Sequence, residues 1–114
     1  MAFFTVSTSR HGTVCVVQAS GELDYGNASV LRDEMTKVWE PEAPSTIVID
    51  VAALTFCDST GVAELIVSLR RSRAAGTRLV LAGVHGTLER ILTITGLRSA
   101  FELSPSAEEA LRGM

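Results

Sequence analysis

The stretch Thr46–Gly76, TIVIDVAALTFCDSTGVAELIVSLRRSRAAG, decides the fold of this chain. It opens with a nearly continuous apolar, β-branched run, which is typical of a strand that is buried on both faces of a sheet. After the run Asp58-Ser59-Thr60-Gly61, apolar residues recur at helical spacing as far as Gly76, a natural helix stop. The stretch therefore predicts a strand over residues 45–51, a connection, and a helix that begins at Ser59 or Thr60 and ends at Ala75.

The composition and the charge of the chain argue against several broad classes of protein. Its 114 residues, 46% hydrophobic and 20% charged, predict one globular domain over residues 1–114. A net charge of −3 without a basic face argues against direct nucleic-acid binding. No apolar window approaches the roughly 18 residues of a membrane span, and the start MAFFTVSTSR lacks the basic segment of a signal peptide. We therefore expect a soluble, cytoplasmic protein with no membrane association.

Strand and helix signals alternate along the rest of the chain. Further strands are predicted over residues 3–9, 13–20, 77–82 and 99–103. Helices are predicted over residues 28–39, from Thr87 to a stop at Gly96, and from Ser106 to Arg112, with Asn27, Thr87 and Ser106 as N-caps. A loop with two acids, Glu22 and Asp24, is predicted between the second strand and the first helix. Since strands joined through helices need right-handed crossovers, the predicted class is α/β, with about four helices and a mixed, mostly parallel sheet of four to five strands that opens with a β-hairpin.

The motifs of several catalytic and cofactor sites are absent from the sequence. The chain has neither a GxxxxGK[ST] phosphate loop nor a GxGxxG fingerprint. Ser59 lacks the glycine two positions before it that a nucleophile elbow needs, and neither His11 nor His85 has a spacing that implicates it as a base. Cys15 and Cys57 lie in apolar sequence, which predicts buried free thiols, with a disulfide or a redox switch as the alternative. We therefore expect no catalytic residue, no cofactor and no metal, and a protein that is not an enzyme.

Ser59 stands at the predicted start of a helix, and this position has two interpretations. One is a helix whose first turn is simply capped by these side chains. The other is a phosphorylation site, because the free N–H groups and the dipole of a helix N-terminus favour a phosphate. In that case the capping hydroxyl and the modified hydroxyl are the same atom. A phosphate adds about −1.5 to −2 charges, and with Asp58 adjacent and Glu22 and Asp24 close by, the acidic patch would repel a docking partner.

Three short motifs resemble those of a known family. Gly21-Glu22-Leu23-Asp24, Asp58-Ser59-Thr60-Gly61 and Thr95-Gly96-Leu97 stand in the order and spacing found in the STAS domain of anti-sigma-factor antagonists. Phe101 and Glu109-Ala110-Leu111 are similar to the usual tail of that domain. The resemblance covers essentially the whole chain, and it departs from the family where Val62-Ala63 replaces the common Leu-Gly.

The resemblance implies a function and a set of site residues. In this family the unphosphorylated antagonist binds an anti-sigma factor, which is a serine kinase with a GHKL-type ATP site, and so frees the sigma factor for transcription. The kinase phosphorylates the serine that corresponds to Ser59 and ends the antagonism, and a PP2C-type phosphatase restores it, a cycle known as partner switching. The resemblance implies that the partner-binding residues are Glu22, Asp24, Asp58, Ser59, Thr60 and Gly61.

Two other functions of a STAS domain stay open at this point. One is a scaffold subunit of a stressosome-like signalling assembly, and the other is an accessory subunit of a membrane transport complex. Self-assembly into a large particle would favour the first, and co-purification with a membrane permease would favour the second. An antagonist, in contrast, is expected to be a monomer or a weak dimer.

Overall fold

A computed structural model of the chain describes residues 3–112, so the predicted domain bounds of 1–114 take in residues at both ends that lie outside the described part. The strands are β1 Phe4–His11, β2 Val14–Leu23, β3 Thr46–Cys57, β4 Arg78–Ala82 and β5 Glu102–Ser104. The helices are α1 Ala28–Val38, α2 Ser59–Ala75, α3 Gly86–Ile94 and α4 Ala107–Arg112, and Leu97–Ala100 form a turn of 3-10 helix. Among residues 3–112, none of the helices combines the length and the apolar character that crossing a membrane requires.

The strands form one sheet in which each strand lies beside its neighbour in sequence. β1 and β2 form the predicted antiparallel hairpin, and β2 to β5 run parallel to one another. Parallel neighbours need a crossover connection, and α1, α2 and α3 each provide one. The predicted α/β class, with a mixed, mostly parallel sheet and four helices, is therefore confirmed.

β3 lies in the middle of the sheet, and the core is built around it. Residues 46–49 are all buried, as the apolar run predicts. One face of β3 belongs to the core that α1, α2 and α3 complete, whose largest fully buried side chains include Leu31, Ile47, Ile49, Leu65, Leu88 and Leu92. Val48 is equally buried but projects to the opposite face, where α4 contacts β3 and β4. The covered central strand thus delivers the chain to Asp58 and α2 from a fixed position.

Two strands extend further than the sequence predicts. β3 continues to Cys57 and β2 to Leu23, beyond the predicted ends at residues 51 and 20. The two extensions pair with each other in parallel, past two irregularities in the register. Glu22 therefore lies in a strand rather than in the predicted loop. The extensions lack a continuous apolar run, so their strand conformation depends on pairing with a distant segment, which local propensity does not report.

The three predicted N-caps have different outcomes. Ser106 caps α4 as expected, because its Oγ accepts a hydrogen bond from Glu109 N at 3.1 Å. Asn27 occupies the N-cap position of α1, as predicted, but its side chain makes no capping hydrogen bond. Thr87 lies inside α3 rather than at its cap, and its hydroxyl accepts a hydrogen bond from Cys57 N at 3.0 Å. The side chains of Asn27 and Thr87 both bond to groups outside the helix that they were expected to cap.

The glycine stops are confirmed, whereas the last strand is displaced. Gly76 and Gly96 take left-handed conformations with φ of 72° and 73°, which glycine adopts at no steric cost. Residues 97–100 form the 3-10 turn, and β5 begins only at Glu102. The predicted strand over residues 99–103 was therefore placed too early, because a three-residue edge strand has too little periodicity to locate from sequence.

The junction between β3 and α2 is packed too closely for a side chain at Gly61. A Cβ atom at this position would lie 2.8 Å from both Cys57 Sγ and Leu23 Cγ. Both neighbours belong to the core, with exposed fractions of 1% and 0%. Glycine at this position is what lets the first turn of α2 approach the ends of β2 and β3.

Cys15 and Cys57 are free, buried thiols, as predicted. Cys15 pairs with Ile47 near the start of β3, whereas Cys57 ends that strand, so the two thiols lie near opposite ends of the sheet. A disulfide needs Cα atoms within about 7 Å, and ten strand residues span roughly 30 Å. Burial, and to a lesser degree the neighbouring Asp58 carboxylate, raises the pKa of the Cys57 thiol to about 12. Since only the thiolate is reactive, this arrangement disfavours a redox switch within the chain.

Replacing Gly61 by alanine is expected to destabilise the protein by about 1–3 kcal/mol, because the added methyl group overpacks the junction. Helix propensity alone predicts the opposite sign, a gain of roughly 0.5–1 kcal/mol. The measurement is the free energy of unfolding in guanidinium chloride, followed by the fluorescence of the single tryptophan, Trp39. Ala63→Gly, at an exposed position of α2, is the control. Its free energy of unfolding is expected to fall only by the roughly 0.5–1 kcal/mol that separates glycine from alanine in helix propensity. An unchanged or increased stability of Gly61→Ala would show that the junction has room for a methyl group.

Candidate functional site

Asp58 joins three elements at one end of the sheet. It is the N-cap of α2, where its Oδ1 accepts a hydrogen bond from Gly61 N at 3.0 Å. Its Oδ2 accepts a second hydrogen bond, at 3.1 Å, from Tyr25 N in the loop before α1. The Asp58 N–H donates to Leu23 O, at the end of β2, at 3.1 Å. One residue therefore fixes the start of α2, the end of β2 and the loop before α1 relative to one another.

The loop over residues 24–27 is closed by its own side chains. Asp24 Oδ1 accepts a hydrogen bond from Gly26 N at 2.9 Å. Asn27 Oδ1 accepts one from Asp24 N at 2.9 Å, and Asn27 Nδ2 donates to Glu22 O at 2.8 Å. Because the loop uses both polar atoms of the Asn27 side chain, that side chain makes no capping bond to α1, although Asn27 occupies the N-cap position. The loop is therefore a compact turn that holds Asp24 next to the contact between Asp58 and Tyr25.

Ser59 is the first residue of α2, and its side chain is exposed. The hypothesis that one hydroxyl both caps the helix and accepts the phosphate is wrong in its first half, because Asp58 provides the cap. Thr60 is half-buried and Gly61 is buried. Of these three consecutive residues, Ser59 is therefore the most accessible to an approaching protein.

The structure brings most of the predicted partner-binding residues together. Asp58 is bonded to the loop that contains Asp24, and Glu22 is tied to the same loop through its carbonyl oxygen. Each of the three acids is half-buried, and within residues 3–112 none of their carboxylates forms an ion pair. Their negative charge therefore remains unneutralised by an ion pair at the end of the sheet where α2 begins with Ser59. Gly61 is the exception in the predicted set, because it lies below the surface and serves the packing of the junction.

Two contacts at this end of the molecule were not apparent from the sequence. The Thr87 hydroxyl binds the backbone N–H of Cys57 and so fixes the last residue of β3 against the start of α3. Asp58 reaches Tyr25 N across 33 positions of sequence. No local sequence pattern indicates either contact. The loop itself carried a usable signal, since the spacing of Asp24 and Asn27 is that of residues whose side chains close turns on nearby backbone groups.

Comparison with known proteins bears on the identity of the fold. The model of the STAS domain matches residues 5–110 of this chain. One curated relative, the anti-sigma F factor antagonist of Paenibacillus polymyxa, is 25% identical over 100 residues, which cover 88% of this chain and 83% of the relative.

Solved structures agree with this assignment. An anti-sigma factor antagonist from Mycobacterium paratuberculosis matches with a TM-score of 0.82 and 28% identity, over 97% of this chain and 93% of that chain. The anti-sigma factor antagonist SpoIIAA in its unphosphorylated form gives a TM-score of 0.80 at 24% identity, over 96% of this chain and 98% of that chain, a likeness of fold alone. Because the domain model matches nearly all of the described residues, this protein belongs to the STAS domain family, with anti-sigma factor antagonists among its similar relatives.

Proposed function

We propose that this protein is an anti-sigma factor antagonist. In its unphosphorylated form it binds an anti-sigma factor that is also a serine kinase with a GHKL-type ATP site, and phosphorylation of Ser59 ends that binding. A PP2C-type phosphatase returns the protein to its binding form, so that the cycle controls transcription by one sigma factor. The name of the Paenibacillus polymyxa relative supports the antagonist role, and the motif resemblance supports the kinase and the phosphatase.

The accessible Ser59 hydroxyl is the observation that carries the proposal. Because the Asp58 carboxylate caps α2, modification of Ser59 removes no capping interaction. Ser59 opens a helix of 17 residues, where the free N–H groups and the dipole favour a negative group by about 0.3–1 kcal/mol. A phosphate can therefore be accepted here without unfolding α2. The structure of SpoIIAA, a protein of this fold, has been solved in a phosphorylated form. This is consistent with the tolerance of the fold for a phosphate.

A phosphate on Ser59 opposes docking in two ways. It adds about −1.5 to −2 charges next to Asp58, whose carboxylate already contacts the loop that carries Asp24, and so raises the local negative charge. A partner that packs closely on this surface must also remove water from the phosphate, and burying an unpaired ion costs several kcal/mol. Both effects act at the interface, so the switch needs no change in the shape of the protein.

In this proposal Ser59 is the substrate of a kinase and not a catalytic nucleophile. His85 Nε2 lies 2.9 Å from Ala52 O, and His11 ends β1 beside the hairpin turn, opposite Val14. Neither arrangement resembles a base held against the Ser59 hydroxyl. The placement of the histidines therefore supports a protein that acts by binding.

Incubation with the cognate kinase and ATP is expected to place one phosphate on Ser59, because this hydroxyl is exposed and the neighbouring Thr60 is half-buried. Mass spectrometry of peptides from the modified protein locates the phosphate. Ser59→Ala is expected to accept none, and Thr60→Ala is the matched control that should still be phosphorylated. Phosphate found on Thr60 in the wild-type protein, with Ser59 unmodified, would contradict the assignment.

Ser59→Asp is expected to weaken binding to the kinase by at least about tenfold, or about 1.4 kcal/mol, since it places a charge in the contact. The side chain of Ser59→Asn has nearly the same size as that of Ser59→Asp but carries no charge. Both Ser59→Asn and Ser59→Ala are therefore expected to bind with an affinity close to that of the wild type. Calorimetric titration with the kinase in the presence of ADP gives the Kd values of the three variants and of the wild type. Equal affinities for Ser59→Asp and Ser59→Asn would rule out a switch based on charge.

Asp58→Asn is expected to keep the helix cap and lose the loop contact, because an amide offers one acceptor oxygen in place of two. The expected loss of stability is about 1 kcal/mol, and Asp58→Ala, which removes both bonds, is expected to lose about 2 kcal/mol. Amide hydrogen exchange separates the two contacts: in Asp58→Asn the Tyr25 N–H should exchange faster while the Gly61 N–H keeps its protection. Unchanged exchange at Tyr25 would mean that the loop is held by other contacts.

A further inference from the structure

The exposed aromatic side chains of this protein gather at one end of the sheet. The chain has four Phe, one Tyr and one Trp. Three of these six side chains are buried or half-buried, namely Phe4, Trp39 and Phe101. The other three are exposed, namely Tyr25 at 82%, Phe3 at 68% and Phe56 at 39%. Aromatic side chains contribute most when their large surface is buried, so a group of exposed ones indicates a surface that another molecule covers.

Phe3 and Phe56 lie on either side of Glu22. Phe3 O accepts a hydrogen bond from Glu22 N at 2.7 Å, and Phe56 is the register partner of Glu22 in the parallel pair of β2 and β3. Residues that stand side by side in neighbouring strands project to the same face of a sheet. Phe56 and Glu22 therefore project to the same face, and the backbones of Phe3 and Phe56 flank Glu22 across about two strand spacings, roughly 10 Å.

Tyr25 lies at the same end, in the loop before α1. Its N–H donates to Asp58 Oδ2 at 3.1 Å, and Phe56 precedes Asp58 by two positions in the chain. The backbone of each exposed aromatic residue is thus held by a hydrogen bond or a strand ladder, while 39–82% of the residue is exposed to solvent. Aromatic side chains on a fixed backbone lose little conformational entropy when they bind, which favours them as anchors.

We propose that Phe3, Tyr25 and Phe56, the aromatic rim, anchor the kinase that phosphorylates Ser59; this inference rests on the proposed function. The rim fits a protein surface with apolar pockets rather than a small molecule, since its members are spread over a loop and two strand ends. A few aromatic residues commonly carry most of the free energy of an interface, and the contacts around them exclude water.

The aromatic rim also accounts for the strength of the switch. Ser59 follows Asp58, the residue that bonds to Tyr25 N, so a partner seated on the rim removes water from the surroundings of the Ser59 hydroxyl. A neutral hydroxyl tolerates such a contact. A phosphate of charge about −2 does not, because both like-charge repulsion and desolvation penalise it there. With the partner seated on the rim, a single phosphate on Ser59 is therefore sufficient to weaken binding.

The other exposed large apolar side chains are aliphatic. Val30, 45% exposed, lies in the first turn of α1, directly after the loop that contains Tyr25, whereas the remaining two lie elsewhere. Ile94, 77% exposed, is the last residue of α3, and Val67, 54% exposed, lies roughly 12 Å along α2 from Ser59. Isolated surface residues of this kind are common in monomeric proteins. They provide matched controls, because truncating them removes a similar amount of exposed apolar surface from another part of the protein.

The test measures Kd for the purified kinase that phosphorylates Ser59, with ADP in place of ATP so that no phosphate is transferred. Tyr25→Ala and Phe56→Ala are each expected to raise Kd by at least about tenfold, and Phe3→Ala by about threefold or more. Tyr25→Phe, Ile94→Ala and Val67→Ala are expected to stay within about twofold of the wild type. Circular dichroism and thermal unfolding verify that the variants are folded, as expected for exposed positions.

The outcomes separate this inference from the proposed function. If the kinase phosphorylates Ser59 but binds Tyr25→Ala and Phe56→Ala as tightly as the wild type, the aromatic rim is not the anchor and the proposed function stands. The same holds if Ile94→Ala weakens binding as much as the rim variants do. If sedimentation equilibrium shows self-association that the rim variants abolish while their Kd for the kinase is unchanged, the rim is a contact between two copies and the inference is overturned. If no kinase acts on Ser59, both the inference and the proposed function are overturned.

Discussion

The functional end of this protein depends on one carboxylate. Asp58 accepts hydrogen bonds from the first turn of α2 and from the loop before α1, and its own N–H binds the end of β2. Leaving such donors without an acceptor costs about 1–3 kcal/mol where water cannot replace it. The same residue therefore sets the direction of α2 and the position of the acidic loop. Every other feature of the site is placed with reference to it.

Packing beneath Asp58 supports this arrangement from the core side. The absence of a side chain at Gly61 lets α2 come close to Cys57 and Leu23, the last residues of β3 and β2. Thr87 holds the same end of β3 from the direction of α3. The loop and the start of α2 are thus attached to the buried ends of β2 and β3. Binding residues on irregular segments are commonly positioned by a rigid core in this way.

The sequence predicts the fold class and the start of α2 because both depend on local signals. A continuous apolar run identifies β3, helical spacing identifies α2, and Gly76 marks its end through a conformation that glycine alone adopts easily. The extensions of β2 and β3 were missed because their strand conformation comes from pairing with each other. Thr87 was misassigned as a cap, and the Asn27 side chain makes no capping bond at the N-cap position, because a side chain that can cap a helix can also bond elsewhere.

The division of roles between Asp58 and Ser59 shows where sequence reasoning reaches its limit. Both residue types are good caps, so the order of the motif does not decide which one caps the helix. In the structure Asp58 caps the helix through one carboxylate oxygen, and its second oxygen accepts from Tyr25 N, a donor 33 positions away that the motif does not indicate. Once Asp58 is engaged in both contacts, the Ser59 hydroxyl is left exposed. The accessible hydroxyl therefore goes together with the capping role of Asp58.

The magnitudes indicate that a phosphate at this position acts on binding and not on folding. In the free protein, the helix dipole favours the phosphate by about 0.3–1 kcal/mol. Two unit charges 4 Å apart in water interact by about 1 kcal/mol, so repulsion from a carboxylate such as Asp58 is of similar size and opposite sign. These effects nearly cancel, and the stability of the domain changes little. When a partner excludes water, the same repulsion grows to about 4 kcal/mol per charge pair at an effective dielectric constant of 20, and desolvation adds several kcal/mol. The unfavourable terms therefore exceed the favourable dipole term only when a partner docks. Asp58 and Gly61 hold the start of α2 in place, so the phosphate stays within the contact.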